Sequence, residues 1–265
     1  MPSTLTTLAL ALLALTAYLV HWRTVFTLNP KRNKPIRHGR RNPKEPTHLL
    51  IVLGSGGHTA EMLSMLDRSV NEPNASARLD WRDFSHRTWV VSSGDSLSAA
   101  RAREFEEMAS GLTSQETLMA GKVKRATDAG PGKYEIVTVP RAREIHQSLA
   151  TSPVSSAKCF QACWKVLRSQ LDQGRDYPDL ILVNGPATGA VMVAASIAMR
   201  FFNVKGCVTR NKMRTIYVES FARVKKLSLS GNLLSRVVDR FLVQWPQLDA
   251  KRGGSGRSQY MGVLV

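Results

Sequence analysis

Cysteine is scarce. Cys159, Cys163 and Cys207 are the only three in 265 residues. That is too few, and odd in number, for a disulfide framework, and no His/Cys spacing matches a zinc site. The folded part therefore reads as belonging to a reducing compartment. Acid is also scarce. Residues 1–44 hold no Asp or Glu against eight bases, and between residues 180 and 238 Glu219 is the single carboxylate among nine bases. Lys plus Arg is 37 and Asp plus Glu is 20, a formal charge of +17. Such a balance selects partners that carry negative charge: nucleic acid, phospholipid or phosphorylated ligands. Aromatics are thin, at 7%. The basic stretches are not interleaved with stacking rings and show no known nucleic-acid module, which sets nucleic acid aside. A composition 43% apolar and 22% charged excludes wholesale disorder. The length allows one or two domains with a real core.

One long apolar run is present. Residues 5–20 are apolar apart from Thr6, Thr7, Thr16 and Tyr18. With Thr4, His21 and Trp22 the run reaches the ~20 residues that a membrane span needs. Tyr18 and Trp22 suit an interfacial belt. A cleaved signal peptide is the competing reading, but no Lys or Arg precedes the run. A basic arm follows it instead, with Lys31, Arg32, Lys34, Arg37, Arg40, Arg41 and Lys44. Positive charge stays on the cytosolic side, so the segment is expected to be a single-pass anchor with a lumenal N-terminus. Everything after Arg23 would be cytosolic. The arm, rich in Pro, Asn and Arg, reads as a solvated linker that also suits anionic headgroups.

From Thr47 onward short apolar runs alternate with helical stretches. Strands are expected at residues 48–53, 88–92, 135–139, 180–183, 215–218 and 241–244. Helices are expected at 59–66, 96–108, 155–171 and 187–201. This alternation predicts an α/β fold, a Rossmann-like parallel sheet covered on both faces. The apolar stretch 187–199 is short for a second span and reads as a buried core helix. Residues 111–133 show no clear period and read as a flexible insertion, and residues 71–78 as a shorter loop. The division is then an anchor at 1–25, a basic linker at 26–46, a folded domain at 47–251 and a linker with an apolar tail at 252–265. The tail, Tyr260-Met261-Gly262-Val263-Leu264-Val265, must be buried somewhere. An edge strand on its own sheet and a docking peptide for another chain are equally compatible with it.

The first strand runs into Gly54-Ser55-Gly56-Gly57-His58-Thr59. Glycines at a strand-to-helix turn allow positive φ and let backbone N–H groups approach a ligand. The helix N-terminus behind them favours an anion. The pattern is not the dinucleotide fingerprint, because Thr59 replaces the third glycine. It is not a phosphate-loop NTPase either, since the Lys-Ser/Thr ending is missing. A phosphate contact and a tight turn without a ligand both remain open. His58 begins the helix, where the dipole disfavours imidazolium; it fits a general base or a capping hydrogen bond. Asn184-Gly185-Pro186-Ala187-Thr188-Gly189 repeats the logic after another strand, with proline near the first helical position. Both turns fall at the carboxyl end of the sheet, where ligands bind. Glu219 ends a further strand and could hold a ligand hydroxyl, orient His58, or pair with Arg223 or Lys225. Arg141 and Arg143 follow the third strand, as diphosphate forks or as a solvated loop.

Taken together these segments resemble one family. Leu53-Gly54-Ser55-Gly56-Gly57-His58-Thr59-Ala60-Glu61-Met62-Leu63 resembles the glycine-rich loop of the membrane-anchoring subunit of the eukaryotic UDP-N-acetylglucosamine transferase. Residues 140–148, 184–189, 217–224, 227–231 and 243–248 fall in the order that family shows. The resemblance covers nearly everything from Thr47 onward, plus the anchor. Ala187 stands where a glycine is expected, and 111–133 looks like an insertion. The resemblance implies the N-terminal half of a GT-B type glycosyltransferase with an N-terminal transmembrane helix. It implies an acceptor-side subunit, inactive alone, that recruits a soluble donor-binding catalytic subunit to the cytosolic face of the endoplasmic reticulum. The complex would add the second GlcNAc of the dolichol-linked oligosaccharide, taking it from UDP-GlcNAc. A non-catalytic membrane scaffold is the alternative. Further implied are His58 and Glu219 as catalytic residues, and a diphosphate site of Gly54, Ser55, Gly56, Gly57, Thr59, Arg141, Arg143 and Asn184. Partner docking would fall to residues 260–265, with no cofactor and no protein-bound metal.

Overall fold

The computed structural model describes residues 4–29, 47–74, 78–119, 132–143, 147, 152–172, 174–185, 187–250 and 257–264. The basic arm at 30–46, the centre of the expected insertion at 120–131, the linker at 251–256, Pro186 and Val265 lie outside the described residues.

Seven parallel strands form one sheet in the order β3-β2-β1-β4-β5-β6-β7. They are β1 (His48–Val52), β2 (His86–Ser92), β3 (Lys133–Val139), β4 (Leu180–Asn184), β5 (Arg214–Val218), β6 (Arg240–Val243) and β7 (Ser258–Tyr260). The helices are α1 (Thr4–Leu28), α2 (Gly57–Val70), α3 (Ser96–Met119), α4 (Ser152–Asp172), α5 (Thr188–Phe201), α6 (Leu229–Leu234) and α7 (Pro246–Ala250). All five residues of β1 are buried. Successive side chains of a strand point to opposite faces. Leu49 and Ile51 accordingly join the core with Met62, Trp89 and Phe105, and Leu50 and Val52 join the other with Ile181, Val193 and Leu167. Burying each such aliphatic side chain contributes about 1.5–3 kcal/mol. A strand apolar on both faces has to sit between two helical layers, and β1 does, in the interior of the sheet between β2 and β4.

The expected parallel α/β architecture is present. The expectation of a flexible insertion needs correction at its start, since α3 continues through Gly111 to Met119. One internal glycine costs a helix only about 1 kcal/mol, while extending a formed helix needs no new nucleus. Helix α5 is the buried core helix foreseen, with eight of its fourteen residues buried.

Helix α1 is 25 residues long and apolar enough to cross a membrane. Its side chains are exposed along most of its length, and Thr27 is its one buried residue. Its last turns are fastened to the body by guanidinium groups. Arg23 Nε and Nη2 donate to the carbonyls of Phe201 and Arg200 at 2.5 and 2.9 Å. Arg200 Nη2 donates to the Thr27 carbonyl at 3.1 Å, and Arg257 to that of Leu28. An apolar groove of about 460 Å³ opens where α1, α5 and α6 meet.

At the amino edge of the sheet charged groups are buried and paired. Arg87 and Glu106 are fully enclosed, with Nη2 to Oε2 at 2.7 Å. The indole N–H groups of Trp89 and Trp81 donate to the same carboxylate at 2.7 and 3.1 Å. Arg200 meets Asp239 in a two-pronged pair at 2.8 and 3.0 Å, and the Thr215 amide also donates to Asp239. His48 Nε2 lies 2.9 Å from Thr88 Oγ1, which donates to Glu135; Gln170 and Arg175 donate to Glu135 as well. Hydrogen-bonded pairs of this kind offset the cost of removing charge from water.

Candidate functional site

The carboxyl edge is built differently. After β1 the chain turns through Gly54, Ser55 and Gly56 into α2. Gly56 has φ +63, a conformation that glycine adopts without strain. A Cβ on Gly56 or Gly57 would meet nothing within 4 Å, so this backbone faces open space. Gly54 is glycine for a different reason. A Cβ there would stand 2.7 Å from His58 Cβ and 3.3 Å from the Asn184 carbonyl. Gly185 has φ +99, and a Cβ on it would come to 3.1 Å from His58 Cγ. His58 is thus wedged between the ends of β1 and β4, where the strand order reverses and α/β sheets bind ligands. Thr59 locks the loop by donating to the Gly54 carbonyl, and its hydroxyl lies 2.7 Å from Ser98 Oγ.

His58 keeps 32% of its side chain exposed, yet its Nδ1 is buried and has no hydrogen-bond partner. The nearest carboxylate is Glu61, one helical turn on, with Oε2 at 3.7 Å from Nδ1. Ser220 Oγ donates to Glu61 Oε1 at 2.8 Å, and Asn184 Nδ2 to Glu61 Oε2 at 3.2 Å. Asn184 also reaches the His58 carbonyl at 3.5 Å. Burial raises the Glu61 pKa, but the nearby His58 and the hydrogen bonds from Ser220 and Asn184 outweigh it and hold the carboxyl below its ordinary value.

Glu219 follows β5 and is 1% exposed. Its Oε2 accepts from the Ser228 amide and hydroxyl, both at 3.1 Å, and its Oε1 from the Ser220 amide at 3.2 Å. Burial pushes its pKa up, against the pull of those hydrogen bonds and of Arg223. A Cβ at Gly231 would collide with Glu219 Oε2, so the glycine makes room for the carboxylate. Glu219 therefore staples the loop after β5 to the start of α6. The carboxylate that faces His58 is Glu61. Sequence reasoning passed over it, although the i, i+3 spacing from His58 was a usable signal.

The remaining expected site residues lie on the same edge but are not all gathered at His58. Arg141 Nε donates to the Ser93 carbonyl at 2.9 Å, and Arg143 Nη2 to the Gln147 carbonyl at 3.1 Å. Both residues follow β3, and Arg141 ties that loop to the one after β2. Ala187 has φ +21, a strained value for a residue with a Cβ, at the start of α5. The tail pairs with its own sheet, with Val243 opposite Tyr260. Leu264 N–H donates to Gln244 Oε1 at 3.0 Å, and Arg68 Nη1 to the Val263 carbonyl at 3.0 Å. Tyr260, Met261 and Val263 remain 45–56% exposed, so the edge strand also presents an apolar surface. Among the described residues no group of three or more His, Cys, Asp or Glu is arranged to hold a metal ion.

The family described as "Oligosaccharide biosynthesis protein Alg14 like" matches residues 49–264. A UDP-N-acetylglucosamine transferase subunit alg14 from Aspergillus fumigatus is 39% identical, covering 77% of this chain and 100% of that protein. The subunit of the same name from Schizosaccharomyces pombe is 34% identical over 87% of this chain and 89% of its own length. The mouse subunit is 32% identical over 84% and 85%. Among solved structures, Acinetobacter baumannii MurG aligns at TM-score 0.39 and 12% identity, covering 76% of this chain and 42% of that one. A UDP-bound transferase from Siraitia grosvenorii aligns at 0.33 and 11%, covering 66% and 28%. The chain thus spans less than half the length of either solved protein.

Proposed function

The chain belongs to the Alg14 family, and on that premise we propose that it is the membrane-anchoring, acceptor-side subunit of a heteromeric UDP-GlcNAc transferase. In this reading α1 spans the endoplasmic reticulum membrane, and the basic arm holds the domain on its cytosolic face. The observation that carries the reading is the family match itself, which runs through every loop of the carboxyl edge. Relatives named as transferase subunits point to a catalytic partner, and a single parallel sheet supplies one wall of an interdomain cleft. The partner brings UDP-GlcNAc to the other wall, as in a GT-B enzyme, and docks on the exposed apolar tail.

The acceptor is GlcNAc-diphosphodolichol, and the complex adds the second GlcNAc. Its diphosphate lies against the open backbone of residues 54–57 at the N-terminus of α2, where N–H groups and the helix dipole favour an anion. Arg141 and Arg143 add charge from the loop after β3. His58 accepts the proton of the acceptor 4-hydroxyl as that oxygen bonds to the anomeric carbon. The bond from that carbon to UDP breaks, UDP leaves with the electron pair, and configuration inverts.

The test is transfer of GlcNAc from UDP-GlcNAc to a GlcNAc-diphosphate-lipid, using this chain with and without its soluble partner. The expected result is no transfer alone and transfer by the complex. His58→Ala should lower kcat by about 10²–10⁴-fold while the complex still forms. Full activity in that variant would remove the base assignment and leave a non-catalytic scaffold. Transfer by this chain alone would remove the divided site.

A further inference from the structure

We infer that Glu61 is the positioning residue of this site, holding His58 in the tautomer and orientation that make it a base. The inference rests on the function proposed above and deepens it. It starts from a pair of buried atoms. His58 Nδ1 is enclosed and lacks a hydrogen-bond partner, while the rest of the ring reaches the surface. Among the described residues the carboxylate beside it is Glu61, at 3.7 Å. A ring nitrogen beside a carboxylate carries the proton, which leaves Nε2 with the free lone pair. His58 can then take a proton only through Nε2, the nitrogen on the exposed side of the wedge. When it does, the charge that forms on the ring lies next to a carboxylate, which offsets the opposing dipole of α2.

The second line of support is what holds Glu61. A carboxylate on an exposed helix face is normally free to swing through water. This one is fixed from two other elements, by Ser220 after β5 and by Asn184 at the end of β4. One of them, β4, forms the strand-order reversal with β1, and the other follows β5, the next strand in the order. Three segments therefore meet at Glu61, which in turn stands beside Nδ1. A salt bridge serving only to stiffen α2 would need neither Ser220 nor Asn184. Glu219 cannot take this role, because Ser228 and Ser220 already occupy its oxygens and it faces α6. In the reaction Glu61 changes no bond. The proton passes from the acceptor hydroxyl to Nε2, and Glu61 stays ionised.

The test uses the full complex of this chain with its partner subunit. Glu61→Gln should lower kcat by about 10²-fold, with KM for both substrates within about two-fold and the complex intact. Glu61→Asp should recover at least about a tenth of the wild-type rate. The double variant His58→Ala/Glu61→Gln should be no slower than His58→Ala, because Glu61 acts only through the ring. Additive losses would overturn the inference, since a purely structural carboxylate harms both backgrounds alike. Wild-type complex labelled with ¹⁵N histidine gives a check that needs no variant. At a pH where the ring is neutral, Nδ1 should be the protonated nitrogen, and an Nε2-protonated ring would overturn the assignment. Loss of activity in His58→Ala with full activity in Glu61→Gln would remove this inference alone. Full activity in His58→Ala would remove the base itself.

Discussion

The two edges of the sheet handle charge in opposite ways. At the amino edge every oxygen of Glu106 is occupied, by Arg87 and by two indole N–H groups, in a region closed to water. At the carboxyl edge His58 Nδ1 and Asn184 Oδ1 are buried without a hydrogen-bond partner, beside backbone that faces open space. Both edges draw on the same strands, so the difference does not come from the fold class. One edge satisfies the carboxylates it buries, Glu106 and Asp239, although His86 Nε2 and Ser258 Oγ there also lack a hydrogen-bond partner. The other withholds that satisfaction where a ligand would sit. Unpaired polar atoms are costly in a folded chain and concentrate where they have a use.

That contrast predicts which substitutions unfold the protein and which only silence it. The largest effect should come from Glu106→Gln, which leaves the Arg87 guanidinium buried and unbalanced. Denaturant unfolding should show a loss of about 3–5 kcal/mol. Folded material should keep its rate of transfer, and a selective loss of activity without loss of stability would break the comparison.

Acid should attack the amino edge next. Burial, with repulsion from His86, holds His48 down to about 3. Between pH 6.5 and 3 the unfolded chain therefore binds a proton that the folded chain refuses, and stability falls as pH falls through that window. Glu135 adds to the trend. Burial raises its pKa, but hydrogen bonds from Gln170 and Thr88 and the charge of Arg175 win and bring it to about 2. Its contribution is present above the ordinary carboxylate range and lost as pH drops toward 2. Together these should cost about 3 kcal/mol from neutrality to pH 4. Melting curves of His48→Gln against pH should be visibly flatter than wild type, and parallel curves would remove His48 as the cause.

Smaller effects belong to the carboxyl edge. Gly185→Ala introduces a Cβ at φ +99 against His58 and should cost about 1–3 kcal/mol. Activity should fall more steeply than stability, because the displaced ring is the proposed base. Ser220→Ala removes one hydrogen bond from Glu61, worth about 1 kcal/mol. A fall in kcat of several-fold with an unchanged melting temperature would sharpen the contrast. A drop in melting temperature at unchanged kcat would instead make Ser220 part of the scaffold.

Most of the scaffold was legible because parallel strands buried on both faces leave unbroken apolar runs. Residues 48–53, 180–183 and 241–244 announced themselves in this way, and the glycines at 54–57 marked the turn after the first. The amino ends of β2 and β3 were harder to see. His86, Arg87, Lys133 and Tyr134 lie outside the strands expected at 88–92 and 135–139, yet the register pairs His86 with Lys133 and Arg87 with Tyr134. Arg87 can occupy a strand only because Glu106, nineteen residues on, neutralises it, and no local pattern reports such a partner. The same limit hid the arrangement around His58. Glu219 drew attention as an isolated carboxylate in a basic region, while Glu61 was passed over. What separates them is Ser220 and Asn184, more than 120 residues from Glu61 along the chain.

The fastening of α1 carries a consequence in time. Its last turn is gripped by Arg200 and Arg257, which lie 173 and 229 residues further along the chain. At the usual 5–20 residues per second of synthesis, the second of these emerges roughly ten to fifty seconds after the helix. Throughout that interval the helix has left the ribosome while at least one of the groups that grip it has not. Whatever receives the helix first does so before its orientation to the rest of the protein is set. The finished molecule then closes the joint from its far end.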